Sequence, residues 1–308
     1  MQTRTAGFNK QAYEGSWSGV ADALAARLNH AGVTIGDALA VVDRELADTR
    51  VGADAFRVFG GDLEAPTGND GNAFGRVVAA YGRYQFVPPG VHGKPMVDLI
   101  LQRLSADIDT VVEFGSGVGQ NLVRLALESG RTDLRYVGCE LTESGRRVTD
   151  SLAALMPAYK IETMAFDYTD WDLSFLPEGS RVFAFTHFSI EQVSEIQAAF
   201  FTDLCDRCSA LTMMHLEPCG WQRFVKLRAW YDHAIQSGTK PNHQIVATEE
   251  QFSRNAAFWA IQHTYNRNLL EVIDGLQRTG RIGVAERVMD FYGSNPFNPG
   301  TLIHWTKI

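Results

Sequence analysis

Apolar residues in the first part of the chain recur at helical spacing. Trp17, Val20, Ala21, Leu24 and Leu28 form one stripe and Ile35, Leu39, Val42 and Leu46 a second, which predicts two amphipathic helices. Gly60-Gly61 and the run PTGNDGN at 66–72 are turn chemistry and mark loops. Residues 81–94 mix aromatics with Pro and Gly, and Pro95 then opens a further helical pattern through Met96, Leu99, Ile100 and Leu104. From residue 110 the pattern changes. Short apolar runs alternate with helical ones: TVVEF and 119–129, RYVGCE and 143–155, IETMAFD, RVFAFTH and 190–204, then LTMMHLEP and a long helical region. Such alternation predicts a doubly wound, mostly parallel sheet. The last two apolar segments, 282–292 and 301–308, are joined by GSNPFNPG with no room for a crossover helix, so they are expected to pair antiparallel. The expected architecture is a seven-stranded α/β domain over 81–308 with a helical insertion at 221–280, preceded by a helical extension over 1–80.

Composition narrows the function classes. Hydrophobic residues at 45% and charged residues at 21% are globular values, which excludes a disordered chain or a coiled coil. A formal net charge of −8 opposes the attraction that nucleic-acid binders need, so no nucleic-acid partner is expected. No apolar run is long enough to span a bilayer and the start lacks the apolar core of a signal peptide, so a cytoplasmic protein without a membrane partner is expected. The four cysteines are too few for a disulfide framework. Cys205, Cys208, His215 and Cys219 are spaced loosely like a zinc knuckle, but a strand over 211–217 draws His215 away from the pair, and no metal is expected.

The most informative segment is Val111-Val112-Glu113-Phe114-Gly115-Ser116-Gly117-Val118-Gly119-Gln120-Asn121, an apolar strand running into glycines and then a helix. Gly115, Gly117 and Gly119 allow a sharp turn and close approach to a ligand, beside the free N–H groups of a helix start. A dinucleotide fingerprint needs its third glycine one residue later than Gly119, which disfavours NAD. With the acid ahead of the glycines, the segment resembles the first motif of class I S-adenosylmethionine-dependent methyltransferases, and the resemblance covers about 95–308. It implies that the loop and Asn121 contact the methionine part of S-adenosylmethionine and that Glu113 lies near its amino group or the loop that holds it. It further implies that Glu140, closing RYVGCE, accepts from both ribose hydroxyls. Asp167, closing MAFD, is implied to accept from the adenine amino group, with the N–H of Tyr168 beside it, and Thr186 is counted with the cofactor contacts.

In open α/β sheets the ligand lies beyond the carboxyl ends of the strands, so the transferred methyl is expected near Thr186-His187-Phe188-Ser189-Ile190-Glu191-Gln192. His187 is a candidate general base, or a histidine that orients substrate or satisfies a loop. Ser189 and Gln192 have capping-box spacing, and Glu191 either favours the helix dipole or contacts the acceptor. His215 and Glu217 share a strand face at the next strand's end and are further candidates for catalysis and substrate binding. In the insertion, Tyr265 and Asn266 are candidate acceptor contacts. The expected activity is O- or N-methylation of a small molecule, with the appended helices as a lid and a homodimer as an option. The alternatives are a peptide or protein acceptor, or cofactor binding without turnover.

Overall fold

The computed structural model describes residues 6–48, 76–87, 95–238 and 249–308. The loops expected at Gly60-Gly61 and 66–72 lie outside them. Two helices open the chain, α1 (Ala6–Leu28) and α2 (Ile35–Asp48). Val20, Leu24, Leu39 and Val42 are buried as their spacing predicts, in the same core as Val148 and Leu152. An ion pair of 2.5 Å from Arg124 to Asp43 ties α2 to the domain behind it.

The expected helical extension ends earlier than residue 80. Strands β1 (Arg76–Ala80) and β2 (Arg83–Val87) form a hairpin about Tyr81-Gly82, both at positive φ (51° and 70°). That geometry matches the right-handed twist of two-residue hairpins. Helix α3 (Pro95–Leu101) leads into the parallel core, where β3 (Thr110–Phe114), β4 (Arg135–Glu140), β5 (Lys160–Ala165), β6 (Arg181–His187) and β7 (Ala210–Glu217) alternate with α4 (Gln120–Ser129), α5 (Glu143–Ala154) and α6 (Ala198–Arg207). The chain then forms α7 (Val225–Ser237), α8 (Glu249–His263), α9 (Leu269–Arg278) and the final strands β8 (Ile282–Gly293) and β9 (Gly300–Lys307).

Among the described residues the sheet runs β2-β1-β8-β9-β7-β6-β3-β4-β5. Strands β3 to β7 are parallel, while β9 pairs antiparallel with both β7 and β8. Five parallel strands followed by a terminal antiparallel hairpin are the arrangement that the alternation of apolar runs predicts. The strand count is nine rather than seven because the β1–β2 hairpin extends the edge at β8, through Ala79↔Gly293 and Ala80↔Tyr292. Strand order reverses between β3 and β6, and a crevice opens beyond their carboxyl ends.

The helix expected over 190–204 is split. A 3-10 turn at Ile190–Gln192 precedes α6, and the capping box is not formed, since Ser189 makes no side-chain cap. Its hydroxyl donates to Phe114 O at 2.8 Å instead. The insertion packs around a separate aromatic core that includes Trp221, Tyr231, Trp259, Tyr265 and Phe297.

Candidate functional site

The glycine loop is built by exclusion. Gly115, Gly117 and Gly119 take φ of 72°, 56° and 69°, a region costly for residues with a Cβ. A Cβ on Gly115 would lie 2.3 Å from Ser189 Cβ, and one on Gly119 2.3 Å from Thr149 Oγ1. Gly115→Ala is therefore expected to cost about 2–4 kcal/mol of stability, combining backbone strain with overpacking, measurable by urea denaturation. An unchanged midpoint would show that the 189 turn yields freely.

A cavity beyond β3, β4 and β6 is lined by Gly115, Gly117, Glu140, Asp167 and Tyr168, together with Phe188, Ser189 and Gln192. Glu140 is buried, and its carboxylate accepts from Gly117 N at 2.9 Å, Thr142 N at 2.9 Å and Thr142 Oγ1 at 2.6 Å. Burial raises its pKa against these bonds. Asp167 lies just past β5 rather than within it, and its Oδ1 accepts from Thr169 N and Oγ1, an Asx turn that holds it at the cavity edge. The Tyr168 hydroxyl reaches Phe114 O at 3.0 Å and Ser189 Oγ at 2.9 Å, joining three strand ends. Phe188 is held at φ 51°, a strained backbone on the cavity wall.

Four residues expected at the cofactor do not line this cavity. Gly119 packs on Thr149 as described above. Glu113 is buried with Oε2 unpartnered, and Asn121 Nδ2 donates to its Oε1 at 3.1 Å and to His187 Nδ1 at 3.2 Å. Burial pushes the Glu113 carboxyl up to about 8. Thr186 is buried, and its Oγ1 meets His215 Nδ1 at 2.9 Å.

The acid–base candidates are constrained by the same contacts. Burial pushes the His187 imidazole down to about 4, so it is a weak proton acceptor at neutral pH. With Asn121 donating to Nδ1, the proton of the neutral ring sits on Nε2, which suits a hydrogen-bond donor better than a base. His215 is buried, accepts from Trp305 Nε1 at 3.0 Å and is pushed down to about 3 by burial. Since the indole only donates, His215 holds its proton on Nδ1 and donates to Thr186. Glu217, also buried, accepts from the N–H groups of Ser189, Ile190 and Glu191 at 3.0, 3.2 and 3.3 Å. His215 and Glu217 do share a face, as alternation requires, and both are buried: Glu217 holds the 189–191 turn, while His215 sits between Thr186 and Trp305.

Glu191 accepts from Gln192 Nε2 at 2.7 Å and from Asn298 Nδ2 at 2.8 Å, and its carbonyl accepts from Asn266 N at 3.0 Å. The Asn266 side chain is fully engaged: Nδ2 donates to Val193 O and Asn268 Oδ1, and Oδ1 accepts from Asn268 N, Leu269 N and Gln222 Nε2. It staples the insertion to the cavity wall. The Tyr265 ring packs in the aromatic core, with its carbonyl accepting from the Tyr231 hydroxyl at 2.7 Å. The four cysteines are buried as free thiols, and among the described residues no group of three or more His, Cys, Asp or Glu could hold a metal ion. No described helix is long and apolar enough to cross a membrane.

The sequence points to the appended helices as a lid but does not name the residues of α1 that reach the cavity. Tyr13 and Trp17 line the cavity, stacked with ring centroids 5.6 Å apart, and the Trp17 ring lies 3.5 Å from where a Gly117 Cβ would be. Trp17 was legible only as an apolar stripe residue, because nothing local to it signals which loop it covers.

No protein-family model matches the sequence, and no curated protein matches it. Among solved structures, the chain is similar to a SAM-dependent methyltransferase from Aquifex aeolicus, at 13% identity over 69% of this chain and 89% of that one, with a TM-score of 0.39. It is also similar to geranyl diphosphate methyltransferase in complex with GPP and sinefungin, at 10% identity over 69% and 77% of the two chains and a TM-score of 0.44. A third is the pyocyanin biosynthetic protein PhzM, at 17% identity over 68% and 53% of the chains and a TM-score of 0.40.

Proposed function

We propose that this protein binds S-adenosylmethionine and transfers its methyl group to a small-molecule acceptor. One observation carries the reading: two glycines of the loop after β3, the acid that closes β4 and the acid just past β5 line a single cavity at the switch point of the sheet. The residues fit the cofactor in chemistry as well as in order. Gly117 presents a side-chain-free surface, Glu140 offers a buried carboxylate to ribose hydroxyls, and Asp167 with the Tyr168 N–H offers an acceptor and a donor to adenine. A carboxylate has roughly four acceptor positions. Three of those on Glu140 are filled, so bonding both ribose hydroxyls requires one of the three bonds from Gly117 or Thr142 to let go.

The bound cofactor supplies an electrophilic methyl group on a sulfonium, and displacement needs alignment more than side-chain chemistry. On this reading the strained Phe188 and the 189–192 turn set the acceptor's approach, held by Glu217 from below. His187 acts as a neutral hydrogen-bond donor or an orienting group. Small acceptors are favoured by the acidic net charge and by a wall in which the aromatic insertion meets the turn through Asn266 and Asn298. Calorimetry of the full-length protein with S-adenosylmethionine, S-adenosylhomocysteine and NAD tests the cofactor, and a labelled methyl donor with fractionated extract tests the acceptor. Binding of the first two ligands and a labelled small product are expected. NAD binding alone would overturn the cofactor, and label found only in macromolecules would overturn the acceptor class.

A further inference from the structure

The N-terminal half of α1 differs from the rest of that helix in what holds it. Val20 and Leu24 are buried in the main core, which anchors the second half. The first half rests on the cavity through Tyr13 and Trp17 and on the start of α5 through Glu14. The Glu14 carboxylate accepts from Glu143 N at 3.0 Å and Ser144 N at 2.8 Å, and the Ser144 hydroxyl donates to Glu14 O at 3.2 Å. Partial burial works against ionisation of Glu14, but the bonds from Ser144 and Glu143 outweigh it and hold the carboxyl below its ordinary value. These are N–H groups that a helix start leaves unpaired, so a side chain from a different element completes α5. The same helix start follows Glu140 and Thr142, the cavity's own acid and its partner.

The helix is also weak where it would have to give. Gly15 and Gly19 bracket Trp17, and a Cβ at either would meet nothing within 4 Å, so packing does not demand glycine at these points. Glycine lowers helix propensity relative to alanine there. Ser16 and Ser18 bond back to the carbonyls of Ala12 and Gly15, a pattern that bends helices.

Resting on the reading of the cavity as a cofactor site, we propose that the Tyr13–Trp17 face of α1 is a wall of that site, seated by Glu14 as a latch on α5, and that the cofactor enters and leaves when this half of the helix swings away about Gly15 and Gly19. Tyr13 and Trp17 then exclude water from the bound cofactor, while Glu14 is a positioning residue that acts through them.

The test compares the full-length protein with Glu14→Gln, Trp17→Ala, Trp17→Phe and the doubly substituted Gly15→Ala/Gly19→Ala. S-adenosylhomocysteine affinity is measured by calorimetry, its dissociation by stopped-flow displacement, and hydrogen exchange over 6–28 and 143–148 by mass spectrometry. Glu14→Gln is expected to speed dissociation about 10-fold and to raise exchange in both segments, even without ligand. Trp17→Ala is expected to weaken affinity about 10-fold and Trp17→Phe to restore most of it. The double alanine variant is expected to slow association and dissociation together, without loss of folding. The proposal is overturned if the wild-type protein binds the ligand but its exchange over 6–28 does not change, or if the ligand kinetics of the Glu14 and glycine variants match wild type. Failure of the wild-type protein to bind at all overturns the cofactor reading itself, and the latch with it.

Discussion

Replacing Glu140 with glutamine is expected to raise the dissociation constant for S-adenosylhomocysteine about 100-fold. The estimate rests on the proposed ribose contact: a hydrogen bond to a charged acceptor contributes about 1.5–3 kcal/mol, and about 2.7 kcal/mol corresponds to 100-fold in affinity. The substitution also acts without ligand. One carboxylate oxygen accepts from Gly117 N and the other from Thr142 N and Oγ1, so an amide nitrogen in place of either oxygen sets a donor against a donor. Leaving a buried N–H unpaired costs about 1–3 kcal/mol, so part of the loss will appear as lower stability of the free protein. Calorimetry run beside thermal denaturation separates the two effects. If affinity falls no further than stability does, Glu140 is a brace of the glycine loop and the ribose assignment is lost.

That double involvement shows what the sequence can carry. The order of acid, three glycines, acid and acid on successive strands is local information, each feature sitting beside its own strand, and it led to Gly115, Gly117, Glu140 and Asp167 around one cavity. Thr186, His215 and Glu217 were equally visible at strand ends, but strand alternation leaves open which face of the sheet a position takes. Here the face is set by Trp305, ninety residues beyond His215, whose indole donates to the imidazole that in turn meets Thr186. A partner that distant has no local signature. The β1–β2 hairpin was different. Its alternation in RYQFV and the glycine of Tyr81-Gly82 are strand and turn signals, masked by the helical patterns and the Pro/Gly-rich stretch on either side of the segment. Tyr13 and Trp17 reach the cavity only because α1 folds back across 100 residues of chain onto Gly117.

Glu113→Gln is expected to remove a loss of stability that the wild-type protein suffers as pH rises from about 4.5 to about 8. Burial raises the carboxyl from 4.5 to about 8, opposed by bonds from Asn121 and the Leu122 N–H and reinforced by the nearby Glu140 charge. A carboxyl whose pKa is higher in the folded state than in the unfolded one binds its proton more tightly when folded. Its contribution is therefore complete below the unfolded value and is lost as pH climbs through the folded one. At about 1.4 kcal/mol per unit, the loss by pH 8.5 is on the order of 4–5 kcal/mol. The glutamine variant carries no charge at any pH and should become the more stable protein above pH 8, while staying close to wild type at pH 5. The acid limb runs the other way and is common to both proteins. His187 and His215, lowered by burial to about 4 and about 3, contribute stability above their unfolded value of 6.5 that is lost as pH falls. Urea denaturation of both proteins at pH 5, 6.5 and 8.5 checks the prediction, and parallel curves across the three would mean that Glu113 is ionised in the folded protein, with its second oxygen paired. Glu113 stands directly before the glycine loop whose Gly115 and Gly117 line the cavity, so a cationic ligand bound there favours its ionised form, and calorimetry in buffers of different ionisation enthalpy should register a proton released on binding.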